Sequence, residues 1–86
     1  MNEETRIAML SIIVEDKDSA EAINALLHEY GRHIIGRLGI PYPKREINLI
    51  GVAMDAPADA ISALSGKLGM LQGVSTKTVY AKLPQE

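Results

Sequence analysis

The sequence predicts an α+β fold of ferredoxin-like type, a βαββαβ sandwich in which a four-stranded antiparallel sheet carries two helices on one face. Three observations predict it. Two short stretches, Arg6 to Val14 and Ile47 to Met54, are apolar on both alternating sets of side chains. Two other stretches place apolar residues at the 3.6-residue period of a helix with one buried face. The halves Thr5–Tyr42 and Glu46–Leu83 each run strand, helix, strand, and right-handed crossovers then put the first and third strands at the centre of the sheet. The strands apolar on both faces are the ones that this topology makes central.

The first strand has Ala8, Leu10, Ile12 and Val14 on one side and Ile7, Met9 and Ile13 on the other, with Ser11 the lone polar residue. Glu15-Asp16-Lys17-Asp18 ends it. Asp18 and Glu21 have capping-box spacing, which predicts a helix over Ser19–Tyr30. Its inward face is Ala20, Ile23, Leu26, Leu27 and Tyr30, and Gly31 suits the position just past its end. A second strand is expected over Arg32–Ile40, with Ile34, Gly36, Leu38 and Ile40 alternating against His33, Ile35, Arg37 and Gly39. Pro41-Tyr42-Pro43 is expected to end it, because proline cannot donate to a ladder. Lys44-Arg45-Glu46 turns the chain into the third strand, where Ile50, Val52 and Met54 oppose Ile47, Leu49 and Ala53. Asp55 is expected to cap the second helix, with Pro57 in its first turn and Asp59 at the positive end of the dipole. Ile61, Leu64, Leu68 and Leu71 form its inward stripe, and Gly69 and Gly73 bracket its end. Val74–Leu83 is expected to be the fourth strand, its Ser75-Thr76-Lys77-Thr78 run polar on both sides as befits an edge.

The 86 residues predict one domain, residues 1–86. A chain of this length buries only about 60% of its unfolded surface. Its own helices cover one face of the sheet, so the other face calls for a partner subunit. A homo-oligomer, dimer or tetramer, is the expected state, joined through the open sheet face.

Composition narrows the function classes. The net charge is −2 and the nine basic residues are scattered, so direct nucleic-acid binding is not expected. Three tyrosines are the only aromatic residues, which removes stacking platforms for single strands. The absence of cysteine excludes disulfides, thiolate catalysis and Cys-based metal sites. The start Met1-Asn2-Glu3-Glu4 is acidic and does not read as a signal peptide. No stretch reaches the length of a membrane span, so the expected compartment is the cytoplasm.

Three segments carry a resemblance to a known family. They are Ile12-Ile13-Val14-Glu15-Asp16; Leu27-His28-Glu29-Tyr30-Gly31, leading to Ile34-Ile35-Gly36-Arg37-Leu38-Gly39-Ile40-Pro41; and Ile61 to Gly69 (Ile-Ser-Ala-Leu-Ser-Gly-Lys-Leu-Gly), followed by Gly73-Val74-Ser75-Thr76-Lys77. Together they resemble the small proteins named iron-only hydrogenase system regulators. That family is similar in fold to ACT domains and to the C-terminal, metal-sensing domain of nickel-responsive repressors. The resemblance implies an ACT-like fold and a regulatory role. The sequence contains neither the ribbon-helix-helix arm with which those repressors bind DNA nor their ligand set of several His plus a Cys. No metal site is therefore carried over, no cofactor is expected, and the family supplies no catalytic residues to map.

Arg37 and His33 share a strand face with Ile35, the face expected to meet a partner. They are the candidate ligand-binding residues, Arg37 gripping a small anion with its planar guanidinium. The expected site is an intersubunit groove lined by Arg37 and the loop Gly39 to Lys44. His28 reads as a solvated residue near the helix C-terminus, and two histidines alone do not make a metal site. Ser65-Gly66-Lys67 mimics the end of a phosphate loop but lies within a helix whose N–H groups are in use. Gly66 is expected to admit a close backbone. Asp55 and Asp59 are explained by a helix start, and Ser11 by a backbone bond or a symmetry mate. No catalytic constellation is present, so the protein is expected not to be an enzyme. The leading expectation is a non-enzymatic regulatory module that senses a small ligand or a protein partner as a homo-oligomer and acts through another chain. A ligand-free assembly module is the alternative, a small oligomeric enzyme ranks after it, and direct DNA binding ranks last.

Overall fold

Residues 4–82 are described by a computed structural model. Strand β1 (Arg6–Val14) is followed by helix α1 (Ala20–Glu29), the hairpin of β2 (Ile34–Tyr42) and β3 (Ile47–Ala56), helix α2 (Ala58–Gly69) and strand β4 (Val74–Tyr80). The sheet order is β2-β3-β1-β4, with every neighbouring pair antiparallel. This is the ferredoxin-like α+β arrangement, with the two doubly apolar strands in the middle.

The core lies between one sheet face and the helices. β1 contributes Ala8, Leu10, Ile12 and Val14, and β3 contributes Val52, Met54 and Ala56. Ile23 and Leu27 of α1 and Ile61, Leu64 and Leu68 of α2 close over them, and all are buried. Leu26, Tyr30 and Leu71 pack partly buried around this cluster. With no Phe or Trp available, aliphatic interdigitation supplies the burial, each fully buried Leu or Ile stabilising by about 1.5–3 kcal/mol.

Several local details differ from the sequence expectations. The α1 helix is entered through a 3-10 turn, Lys17–Ser19, whose cap is Asp16 rather than Asp18: the Asp16 carboxylate accepts from the Asp18 amide at 2.9 Å. Ser19 instead turns its hydroxyl to the Gln72 carbonyl, 2.6 Å away. The adjacent Gly73 has φ 70°, and its carbonyl accepts from the Glu15 amide at 2.7 Å. The end of β1, the start of α1 and the α2–β4 turn are thereby tied together.

Gly31 does not end α1 in a left-handed conformation; it opens a 3-10 turn, Gly31–His33, so that His33 lies outside β2. Asp55 is part of β3, opposite Ile7, and caps nothing. Pro57 takes the N-cap position, its carbonyl accepting from the Ala60 and Ile61 amides at 3.0 and 3.2 Å. Asp59 does sit in the first turn of α2. Pro41 does not end β2, which runs on through Tyr42. An edge strand has one neighbour, so a proline is tolerated where its nitrogen faces away from that neighbour. Gly66 admits no close backbone, since a Cβ added there would meet nothing within 4 Å. The β4 strand ends at Tyr80, with Ala81 still donating to the Ile7 carbonyl at 2.8 Å; the expected end at Leu83 lies outside the described residues.

Candidate functional site

The helices cover β1, β3 and β4 and leave β2 bare. Every residue of β2 after Ile34 is exposed. The gap between α1 and β2 is a groove of about 240 Å³. Val14, Ile23 and Ile50 form its apolar floor, Gly39 and Pro41 line its β2 side, and Asn24, Arg37 and Asn48 are its polar groups. The groove is open at Gly39, where an added Cβ would find nothing within 4 Å.

Arg37 stands on the helix side of the sheet, opposite Val52, with its guanidinium Nη2 donating to the Asn24 side-chain oxygen at 3.2 Å. This corrects the expected placement on the partner-facing side with Ile35. The cause is a bulge. The pairing of β2 with β3 skips a residue between Ile34 and Gly36, which reverses the alternation for everything after it. Ile34 and Arg37 therefore face the helices, while Gly36, Leu38 and Ile40 face away from them.

His33 is half-buried in the turn after α1, its amide donating to the Tyr30 carbonyl at 2.9 Å, and it does not line the groove. The two candidate ligand residues are thus not brought together. Asn24 and Asn48 join Arg37 instead. Asn48 had a legible signal, being the lone polar residue within an otherwise apolar run; Asn24 sits on the polar side of α1 and carried none.

The opposite sheet face is largely apolar across β1, β3 and β2. Register places Met9, Ser11 and Ile13 of β1 beside Ala53, Gly51 and Leu49 of β3, and these beside Gly36, Leu38 and Ile40 of β2, with Asp55 beside Ile7 and Lys77 beside Ser11 at the margins. Met9 is 47% exposed, Ile13 42% and Leu38 62%. A shallow apolar depression of about 290 Å³ lies at the middle, around Ser11 and Gly51. A wider hollow at the β2–β3 hairpin end is lined by Tyr42, Lys44, Arg45 and Glu46.

The remaining polar features are surface ones. Lys67 lies 3.6 Å from the Glu29 carboxylate and over the ring of Tyr30, 5.2 Å from its centroid. Tyr30 and then Glu29 hold the Lys67 ammonium above the usual lysine range. His28 is exposed on α1. Among the described residues, no three His, Asp or Glu side chains converge where a metal ion would sit. No helix among them is long and apolar enough to cross a membrane.

Comparison with known proteins gives the chain its relatives. The structure is similar to that of uncharacterized protein TM1266 from Thermotoga maritima, with a TM-score of 0.88 and 36% identity, covering 92% of this chain and all of that one. It also shares its fold with the C-terminal domain of the MgtC protein from Mycobacterium tuberculosis, at a TM-score of 0.71 and 12% identity, covering 99% of this chain and 97% of that one. No curated protein matches the chain in sequence. The TM1266-like family matches residues 6–78, a span from the first residue of β1 to within two residues of the end of β4. The chain belongs to the family of iron-only hydrogenase system regulators.

Proposed function

We propose that this protein is a non-enzymatic regulatory module of ACT-like type that acts within an iron-only hydrogenase system. It works as a homo-oligomer joined through the open sheet face and senses a small anionic ligand in the α1–β2 groove. The carrying observation is the exposed row Met9, Ile13, Leu38, Ile40 and Leu49. A largely apolar layer like this is stable in water when another surface covers it. The identical layer of a second copy is the simplest cover, because a two-fold interface needs only a self-complementary patch.

The ligand part rests on Arg37, the groove's one charged side chain. Its fork grips a carboxylate or phosphate in a bidentate manner, and Asn24 and Asn48 add neutral donors. His33 is left outside this site. Ligand binding acts by favouring one subunit arrangement over another. The effect reaches the hydrogenase system through another chain. A ligand-free assembly module is the second reading, favoured by the mostly apolar lining of the groove.

Native mass spectrometry of freshly purified protein tests both parts. The expected result is a dimer or tetramer retaining an anion, which Arg37→Ala sheds while keeping the subunit number. A lone protomer at micromolar concentration overturns the oligomer. An oligomer without retained mass, and without heat on titration with inorganic phosphate or acetate, leaves the assembly module as the function.

A further inference from the structure

We infer that the free edge of β2 is a second self-association surface, on which β2 of another copy pairs antiparallel about a two-fold axis at Leu38, bringing Arg37 of each copy onto the groove of the other. The pairing stands independently of the open-face oligomer. Only its consequence for the ligand rests on the groove reading above.

The two edges of the sheet are built differently. β4 spans seven residues and carries Ser75, Thr76, Lys77 and Thr78, the polar, charged make-up that discourages pairing. β2 spans nine residues, is exposed on both sides beyond Ile34, and has Arg37 as its one charge. A long, bare, apolar edge is a template for another strand.

Proline fixes which backbone groups are free. Pro41 has no N–H to give β3, so its nitrogen faces outward. Antiparallel strands alternate between residues that bond the neighbour and residues that face away. Beyond the bulge, Arg37 and Gly39 are in phase with Pro41, and their N–H and C=O groups point off the edge of the sheet.

Beyond the bulge, two-fold axes at Arg37, Leu38, Gly39, Ile40 and Pro41 set outward residues opposite one another, and the axes at Ile40 and Pro41 leave Pro41 facing Gly39 or itself, without the N–H needed for a full bond exchange. An axis at Arg37 faces two guanidinium groups directly, which is destabilising. An axis at Gly39 faces Arg37 with Pro41, which cannot return the bond. An axis at Leu38 faces Arg37 with Gly39, and each of these two symmetric pairs exchanges both N–H···O bonds. In that register Arg37 meets a residue without a side chain, Leu38 meets Leu38, and Ile40 meets Gly36. Gly39 borders the α1–β2 groove, so the Arg37 side chain of one copy lies along the mouth of the partner's groove. The two grooves merge into one site with a cation from each copy, suited to a dianion or a dicarboxylate.

Two variants test this. Gly39→Pro removes the outward N–H without touching the β2–β3 ladder, and is expected to halve the mass seen by sedimentation velocity at micromolar concentration, with an unchanged circular dichroism spectrum. Leu38→Cys introduces the single thiol of the chain at a pair whose Cα atoms come about 4.5 Å apart, within disulfide reach. It is expected to form a disulfide dimer under mild oxidation at least tenfold faster than Val79→Cys, a comparably exposed position on the other edge strand. Wild-type mass in Gly39→Pro, or equal cross-linking of the two cysteine variants, overturns the pairing. Met9→Glu separates the two surfaces. If it lowers the mass while Gly39→Pro does not, the edge pairing fails and the open-face oligomer stands; the reverse result sinks the open face and keeps the edge.

Discussion

Replacing Gly73 with Ala is expected to be among the most damaging single-methyl changes available to this fold. Gly73 has φ 70°, a conformation that costs an L-residue about 1–2 kcal/mol. The added Cβ would also lie 2.6 Å from the Asp16 Cβ and 2.9 Å from the Asp16 backbone nitrogen. Ordinary carbon contacts lie at about 3.5–4.0 Å. The obstacle is mostly backbone, so the turn must move. Moving it strains the 2.7 Å bond from the Glu15 amide to the Gly73 carbonyl, worth about 1 kcal/mol. Together these give a loss of about 3 kcal/mol, or a fall in melting temperature of about 15 °C for a domain of this size. Gly66→Ala is the internal control. It lies within α2 with open space where its Cβ would be, and is expected to stabilise by about 0.5–1 kcal/mol. Urea denaturation of both variants followed by circular dichroism reads the difference. A loss below about 1 kcal/mol for Gly73→Ala with native spectra would refute the packing argument for this junction.

Other expectations follow from the same packing. Leu64→Ala, fully buried, is expected to cost about 3 kcal/mol, whereas Leu38→Ala, 62% exposed, costs less than about 1 kcal/mol when measured by urea denaturation on the dilute protomer. Glu46, at φ 57° in the β2–β3 turn, is a position where Gly is expected to gain about 0.5 kcal/mol, the left-handed penalty exceeding the entropy cost of glycine; a lower urea midpoint for Glu46→Gly contradicts this. The Lys67 ammonium is held above its ordinary range by Tyr30 and Glu29. Because the folded-state value is the raised one, any stabilisation is fully present below the ordinary lysine range and is lost as the pH rises through the folded value. Exposure keeps it small. Tyr30→Phe is expected to lower the Lys67 titration midpoint in a side-chain NMR titration, and an unmoved midpoint removes Tyr30 as the cause.

Hydrophobic patterning marks β1 and β3 as the central strands, and the right-handed crossovers give the same order. β1 and β3 are apolar on alternate residues facing both ways, and only central strands with two dry faces need that. The helical stripes of α1 and α2 were equally legible, because the 3.6 period does not depend on what the helix packs against. Element termini are less legible. Asp16 and Asp18 are equivalent on paper as caps, as are Asp55 and Pro57 as the start of α2, and the choice depends on how the chain leaves the preceding strand. Arg37, Gly39 and Pro41 do border a groove, but it lies within one protomer between α1 and β2 rather than on the partner-facing side, and Tyr42 and Lys44 line a separate hollow.

What the residues determined by themselves was the α+β topology, the identity of the core and the presence of an apolar layer that two helices cannot reach. What only the tertiary structure decided was orientation. One extra residue between Ile34 and Gly36 turned Arg37 toward the helices and Leu38 away from them. The period of a strand is two, so a slip of one residue exchanges its faces, and the slip is set by pairing with β3, which local sequence does not encode.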